Sequence, residues 1–286
     1  MMDRLISSGR YVFGIAIASF GLQHYIFVSS HPALAPGPPW ILGSAFAASG
    51  MGAFLLVLGI GIVAGKDTVL WASALGVLQF TYVVVLYAPR LATNLTDPRP
   101  WTSSTELLAM SGAALALAGT RGEQPVPRPW TRMSDRIAAT GRLIFAVPLA
   151  VFGVQHFMYA QFTATLVPAW IPWRLFWACF VGAAFIAASI GIAVKVQARL
   201  AATLLGVMFF LIVVLLHVPR LFTHAQSGNE WTSALVALTM FGASFVVARS
   251  CRAPITVALV SSTVSQAWGG SVGNPPQLDP SSHSVK

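Results

Sequence analysis

The 286-residue chain is 56% hydrophobic and 9% charged, with a mean hydropathy of +0.73. Soluble domains carry about 25% charged residues, so this composition excludes a soluble globular enzyme and predicts an all-α integral membrane protein. The net charge of +9 does not predict nucleic-acid binding, because the basic residues are scattered over connections and form no stripe.

Eight apolar stretches are predicted as transmembrane helices, over 10–28, 41–64, 68–88 and 103–119, then 140–160, 172–194, 198–218 and 231–249. The first follows Arg4 and Arg10, as in a secretory signal. No small-residue cleavage site follows it, however, and a matching stretch from Arg142 to Ala160 lies mid-chain, so it is read as a retained span. Residues 1–119 and 140–250 form two four-helix units. The Arg- and Pro-bearing segment 120–139 joins them, and 251–286, rich in Ser, Pro and Gly, is predicted to be a disordered tail. Cys179 and Cys251 are far apart and form neither a CxxC pair nor a predicted disulfide.

The two units repeat one another. Phe20-Gly21-Leu22-Gln23-His24 returns as Phe152-Gly153-Val154-Gln155-His156. Arg10 matches Arg142, Pro89-Arg90-Leu91 matches Pro219-Arg220-Leu221, and Trp101-Thr102-Ser103 matches Trp231-Thr232-Ser233. Order and spacing are kept throughout, the signature of a tandem duplication.

Lys and Arg near the span ends set orientation. Thirteen (Arg4, Arg10, Lys66, Arg121, Arg128, Arg132, Arg136, Arg142, Lys195, Arg199, Arg249, Arg252 and Lys286) fall on one side. Four (Arg90, Arg99, Arg174 and Arg220) fall on the other. The expectation is therefore a multi-pass protein of the inner (cytoplasmic) membrane with cytoplasmic N- and C-termini. Four spans per unit give both units the same orientation, related by a pseudo-twofold along the membrane normal.

His24 lies fourteen residues beyond Arg10, or about 21 Å up a helix, in the outer part of a core about 30 Å thick. His156 sits likewise beyond Arg142, and His217, Arg90, Arg220, Glu106 and Glu230 fall at the same level. The candidate ligand-binding residues are thus Gln23, His24, Gln155, His156, His217, Arg90 and Arg220. Each also has a structural reading. Gln and His can hydrogen-bond between helices, Arg90 and Arg220 can reach the headgroups, and Pro89 and Pro219 can end their helices. Ser103 and Glu106 fit a capping box, and the tryptophans, Trp40 among them, fit an interfacial belt. Gln79, Thr81 and Tyr82 have the apolar Phe209, Leu211 and Ile212 as counterparts in the second unit and can either line a pocket confined to the first or bond to neighbouring helices. No nucleotide loop, GxSxG, HExxH or CxxC is present. The one conceivable metal set is His24 and His156 with His217 as a third member; two imidazoles from matching helices can ligate a haem iron, but the further helix-buried His pairs of haem proteins are missing.

The Arg-x-x-Phe starts (Arg10 and Phe13; Arg142 and Phe145), the Phe-Gly-x-Gln-His motifs and the loops Pro38-Pro39-Trp40 and Pro168-Ala169-Trp170 resemble the DoxX-like family of small four-span membrane proteins, twice over. The family takes its name from subunits of a thiosulfate:quinone oxidoreductase. The resemblance implies a quinone- or redox-associated membrane subunit with a site facing the outer leaflet, quinone as the cofactor, and a periplasmic or membrane redox partner besides the bilayer. Alternatives are a small-molecule or lipid transporter and a non-catalytic structural anchor.

Fusions test the topology. A fluorescent protein joined after Lys286 should fluoresce, and alkaline phosphatase at the same point should be inactive. The opposite pattern would invert the assignment.

Overall fold

The computed structural model describes residues 2–27, 45–120 and 128–251. Trp40 and its prolines, linker residues 121–127 and the 252–286 tail lie outside the described residues. Among the described residues the protein is all-helical. Eight long helices and one short one are present: α1 (Met2–Ile26), α2 (Ala45–Ala64), α3 (Thr68–Thr93), α4 (Pro98–Ala118), α5 (Arg128–Met158), the short α6 (Ala160–Leu166), α7 (Arg174–Ala193), α8 (Ala198–Thr223) and α9 (Gly228–Ser250). Five of them, α3, α5 (from Thr131), α7, α8 and α9, are long and apolar enough to cross a membrane. The 120–139 segment is not wholly a linker, because α5 already begins at Arg128.

Pro89 and Pro219 do not end their helices. Each follows a single π turn, Val83–Tyr87 in α3 and Val213–His217 in α8, and the chain stays helical to Thr93 and Thr223. The Ala88 and Val218 amides bond five residues back, to the carbonyls of Val83 and Val213. A proline lacks an N–H and its ring strikes the carbonyl four residues earlier. Widening the preceding turn relieves that clash at the cost of one shifted hydrogen bond.

The helix starts also differ from the sequence reading. α4 begins five residues before Ser103 and is capped by Asp97, whose carboxylate accepts the Arg99 N–H at 3.0 Å. That amide and the Arg99 guanidinium hold the Asp97 carboxyl below its usual range. Ser103 and Glu106 therefore form no capping box and lie well inside the helix. In the matching position Ser227 caps α9, accepting the Glu230 N–H at 3.4 Å. Trp101 and Trp231 each donate their indole N–H back over this loop, to Leu95 O at 3.0 Å and Ala225 O at 2.9 Å.

The helices of one unit do not close on themselves. α1 packs along α2, α2 along α3 and α3 along α4, but α9 of the other unit lies between α1 and α4. In the same way α5, α7, α8 and α9 follow one another, and α4 lies between α9 and α5. α4 and α9 thus belong to two rings at once. Their small residues allow this. A β-carbon on Gly112 would come within 2.3 Å of the Phe145 amide nitrogen, and one on Gly242 within 2.4 Å of the Phe13 amide nitrogen. The partners answer in kind: a β-carbon on Gly141 would lie 2.3 Å from Ala116 N. Ala109, Ala113, Ala116, Ala243 and Ala248 are fully buried along the same helices.

Glycine substitutions separate packing from propensity. Gly112→Ala should lower stability by about 2 kcal/mol or more, through overpacking against backbone. Gly50→Ala, where a β-carbon meets nothing within 4 Å, should be neutral or slightly stabilising. Thermal melting in detergent, followed by helical circular dichroism, reads both; equal effects would refute this packing account.

Candidate functional site

The repeated Gln-His pairs sit near the ends of α1 and α5, and the two residues of each pair do different things. Gln23 is 4% exposed, and its Nε2 donates to the Gly228 carbonyl at 3.0 Å and to Thr232 Oγ1 at 2.8 Å. Gln155 does the same less tightly from the other side. Its Nε2 donates to Thr102 Oγ1 at 3.3 Å, and that hydroxyl lies 3.5 Å from Gln155 Oε1. Thr102 and Thr232 are matching positions, so each Gln reaches across to the last helix of the other unit. These candidate ligand residues brace one helix against another.

The histidines bond inward. His24 Nδ1 lies 2.8 Å from the Phe20 carbonyl, and His156 Nδ1 lies 2.8 Å from the Phe152 carbonyl. A carbonyl only accepts, so Nδ1 carries the proton, and in the neutral ring Nε2 keeps a lone pair. Close helix packing positions both rings: the β-carbon that Gly52 lacks would be 2.9 Å from His24 Cβ, and the one Gly182 lacks 2.8 Å from His156 Cβ.

From there the two rings of helices diverge. The first encloses a cavity of about 210 Å³. Its walls are Ile17, Phe20 and His24 of α1, Met51 and Leu55 of α2, Leu78, Gln79, Tyr82 and Tyr87 of α3, Ser103, Glu106, Leu107 and Met110 of α4, and Asn229, Thr232 and Val236 of α9. The π turn aids this by carrying Tyr87 into the buried interior, where it is 7% exposed. Gln79 is 4% exposed, with its Nε2 3.7 Å from Met110 Sδ and its Oε1 without a partner. Tyr82 donates to Met51 Sδ at 3.5 Å, and Ser103 lies beside Tyr87 on the cavity wall. Glu106 makes no hydrogen bond or ion pair among the described residues. In the second ring the matching positions of Leu55, Gln79 and Glu106 are Phe185, Phe209 and Val236. There Phe185 meets Phe152 at 5.8 Å, Phe209 at 5.6 Å and the edge of His156 at 5.2 Å between ring centres.

The other predicted residues stand apart. Arg220 makes an ion pair with Glu230 at 2.7 Å. Arg90 lies over the Tyr87 ring, 5.8 Å from its centre. His217 is half-buried and its Nδ1 has no partner. His24 lines the cavity and His156 does not. No group of three or more His, Cys, Asp and Glu side chains able to hold a metal occurs among the described residues. Sequence reasoning raised Gln79 and Tyr82 as pocket residues through their apolar counterparts. It missed Ser103 and Thr232, whose pairing within the repeated Trp-Thr-Ser motifs was the available signal. No protein-family model, curated protein or solved structure matches the chain.

The brace geometry has a measurable asymmetry. Gln23→Leu, which strands the Thr232 hydroxyl and removes two short bonds, should cost about 1–2 kcal/mol. Gln155→Leu should cost clearly less. Detergent melting temperatures of the two variants order them; a larger loss at Gln155 would contradict the assignment.

Proposed function

We propose that the chain is a multi-pass inner-membrane protein of two tandem DoxX-like units, with all eight long helices crossing the bilayer. In this reading the units are related by a pseudo-twofold along the membrane normal, with the Gln-His level near the outer leaflet. The paired π turns, the paired caps and the crossed Gln–Thr bonds support it, since each recurs at matching positions. The first unit is a binding site for the headgroup of a quinone-type redox lipid, and the protein is a redox-associated membrane subunit.

One observation carries the functional part: a mostly apolar cavity in the first ring whose few polar groups, His24, Gln79 and Glu106, converge from three helices. Ligand pockets have this composition, with apolar walls for affinity and sparse polar atoms for orientation. Polar and ionisable side chains amid membrane helices are expensive unless they serve packing or a ligand, and here the packing role falls to the glutamines. A second reading, a transporter of small amphiphiles, draws on the contribution of α9, because a cavity bounded by both units can change when they rock against each other.

The test uses the full chain in lipid nanodiscs. Organic extraction should release a quinone visible by mass spectrometry, or a decyl-chain benzoquinone or its quinol should quench tryptophan fluorescence saturably. Leu107→Trp, which fills the cavity, should abolish either signal while leaving the melting temperature within a few degrees. Absence of any bound quinone together with no binding of either redox form would sink the proposal. Uptake of an amphiphile into proteoliposomes would favour the transporter instead.

A further inference from the structure

The cavity's polar atoms are not a random mixture of donors and acceptors. Gln79 is the clearest case. Its side chain is 4% exposed, its amide nitrogen is turned onto Met110 Sδ, and its Oε1 meets no donor. Rotating the amide would set that oxygen against the lone pairs of the sulfur, so the acceptor is the atom left over. His24 shows the same bias: Nδ1–H is spent on the Phe20 carbonyl, and the remaining ring atom, Nε2, is an acceptor. Glu106 adds a carboxyl group that no protein donor meets among the described residues, and its carbonyl oxygen accepts in either protonation state. The donors near them are turned back on the protein: the Tyr82 hydroxyl to Met51 Sδ, and the Thr232 hydroxyl to the Gly228 carbonyl at 2.9 Å. Ser103 and Tyr87 lie beside one another on the cavity wall. Asn229 is exposed and belongs to the mouth.

An unmet acceptor in a buried site costs about 1–3 kcal/mol, and a ligand with matching donors recovers that. We infer that the cavity selects ligands by the hydrogen-bond donors they bring, taking a small apolar ring that carries O–H or N–H groups over one that carries only carbonyls. The inference rests on the quinone-type reading and sharpens it. Within one redox couple the site favours the quinol, which has two O–H donors, over the quinone, which has none. Gln79 and Glu106 are its specificity-determining residues. Both are replaced by apolar residues, Phe209 and Val236, in the second unit, so donor selection belongs to the first ring.

Three probes of nearly one shape test this on the full chain in nanodiscs under anaerobic conditions: a decyl-chain benzoquinol, the matching benzoquinone, and the quinol's dimethyl ether. The quinol should bind at least about tenfold tighter than the other two. Glu106→Gln, which exchanges a carboxyl oxygen for an amide donor at constant shape, should shrink that ratio about tenfold and improve quinone binding. Melting curves establish that the variant is folded, and Gln79→Leu, with no polar atom, should weaken the quinol alone. Quinone binding equal to or tighter than quinol, or tight binding of the dimethyl ether, overturns donor selection and leaves the quinone site standing. Failure of all three probes to bind removes the quinone site, and donor selection falls with it.

Discussion

The architecture depends on two backbone-to-backbone approaches, α1 against α9 and α5 against α4. In a bilayer the lipid tails are as apolar as a leucine, so helices gain little by burying apolar surface against each other. Association rests instead on close contact and interhelical hydrogen bonds. Gly9 with Gly242 and Gly141 with Gly112 supply the first, at separations that leave no room for a side chain. The crossed Gln23–Thr232 and Gln155–Thr102 pairs supply the second. Because both approaches join helices of different units, α4 and α9 each complete the other unit's ring. The interior of each ring is thereby bounded by five helices rather than four, which is space enough for either a cavity or a cluster of aromatic rings.

That shared frame explains how two similar units hold different contents. Backbone positions are set by small residues and braces at the interface, so the ring interiors can change without disturbing them. The second ring takes the inexpensive course: Phe152, Phe185 and Phe209 fill the space, and their large apolar area stabilises it. The first keeps Leu55 where the second has Phe185, and the lost volume appears as a cavity beside Gln79 and Glu106. The void beside Gln79 and Glu106 in the first ring is one a scaffold can tolerate when the aromatic cluster of the other ring carries packing.

Much of this was legible in the sequence and some was not. The duplication was read from Phe-Gly-x-Gln-His, and the helices follow the apolar stretches because hydropathy over some twenty residues is a strong local signal. The short contacts were hidden. Nothing local tells that Gln23 bonds Thr232, more than two hundred positions away, or that α9 rather than α4 sits beside α1. Prolines 89 and 219 were misread because a stop is the default for proline, whereas the π turn that rescues the helix is a cooperative property of the five residues before it. Ser103 and Glu106 satisfied a capping pattern by spacing alone, while the true cap, Asp97, preceded a proline that is itself favoured in the first turn. Where the two units disagree in sequence, the comparison was most informative: Gln79 and Tyr82, opposite Phe209 and Ile212, pointed to a pocket confined to the first unit, whereas Glu106 was hidden behind its capping pattern.

The histidines show how far an internal repeat can be trusted. His24 and His156 share their sequence context, their inward Nδ1 bond and their glycine neighbour across the helix contact. The repeat therefore reports what holds the imidazole, not what it faces. Beyond the ring edge, His156 meets Phe185, whereas His24 borders a cavity with Gln79 and Glu106. The anchoring bond is common to both copies because it belongs to the frame. Only where neighbouring helices leave space does the imidazole border a cavity, so the same residue is packed against an aromatic ring in one unit and lines a cavity in the other.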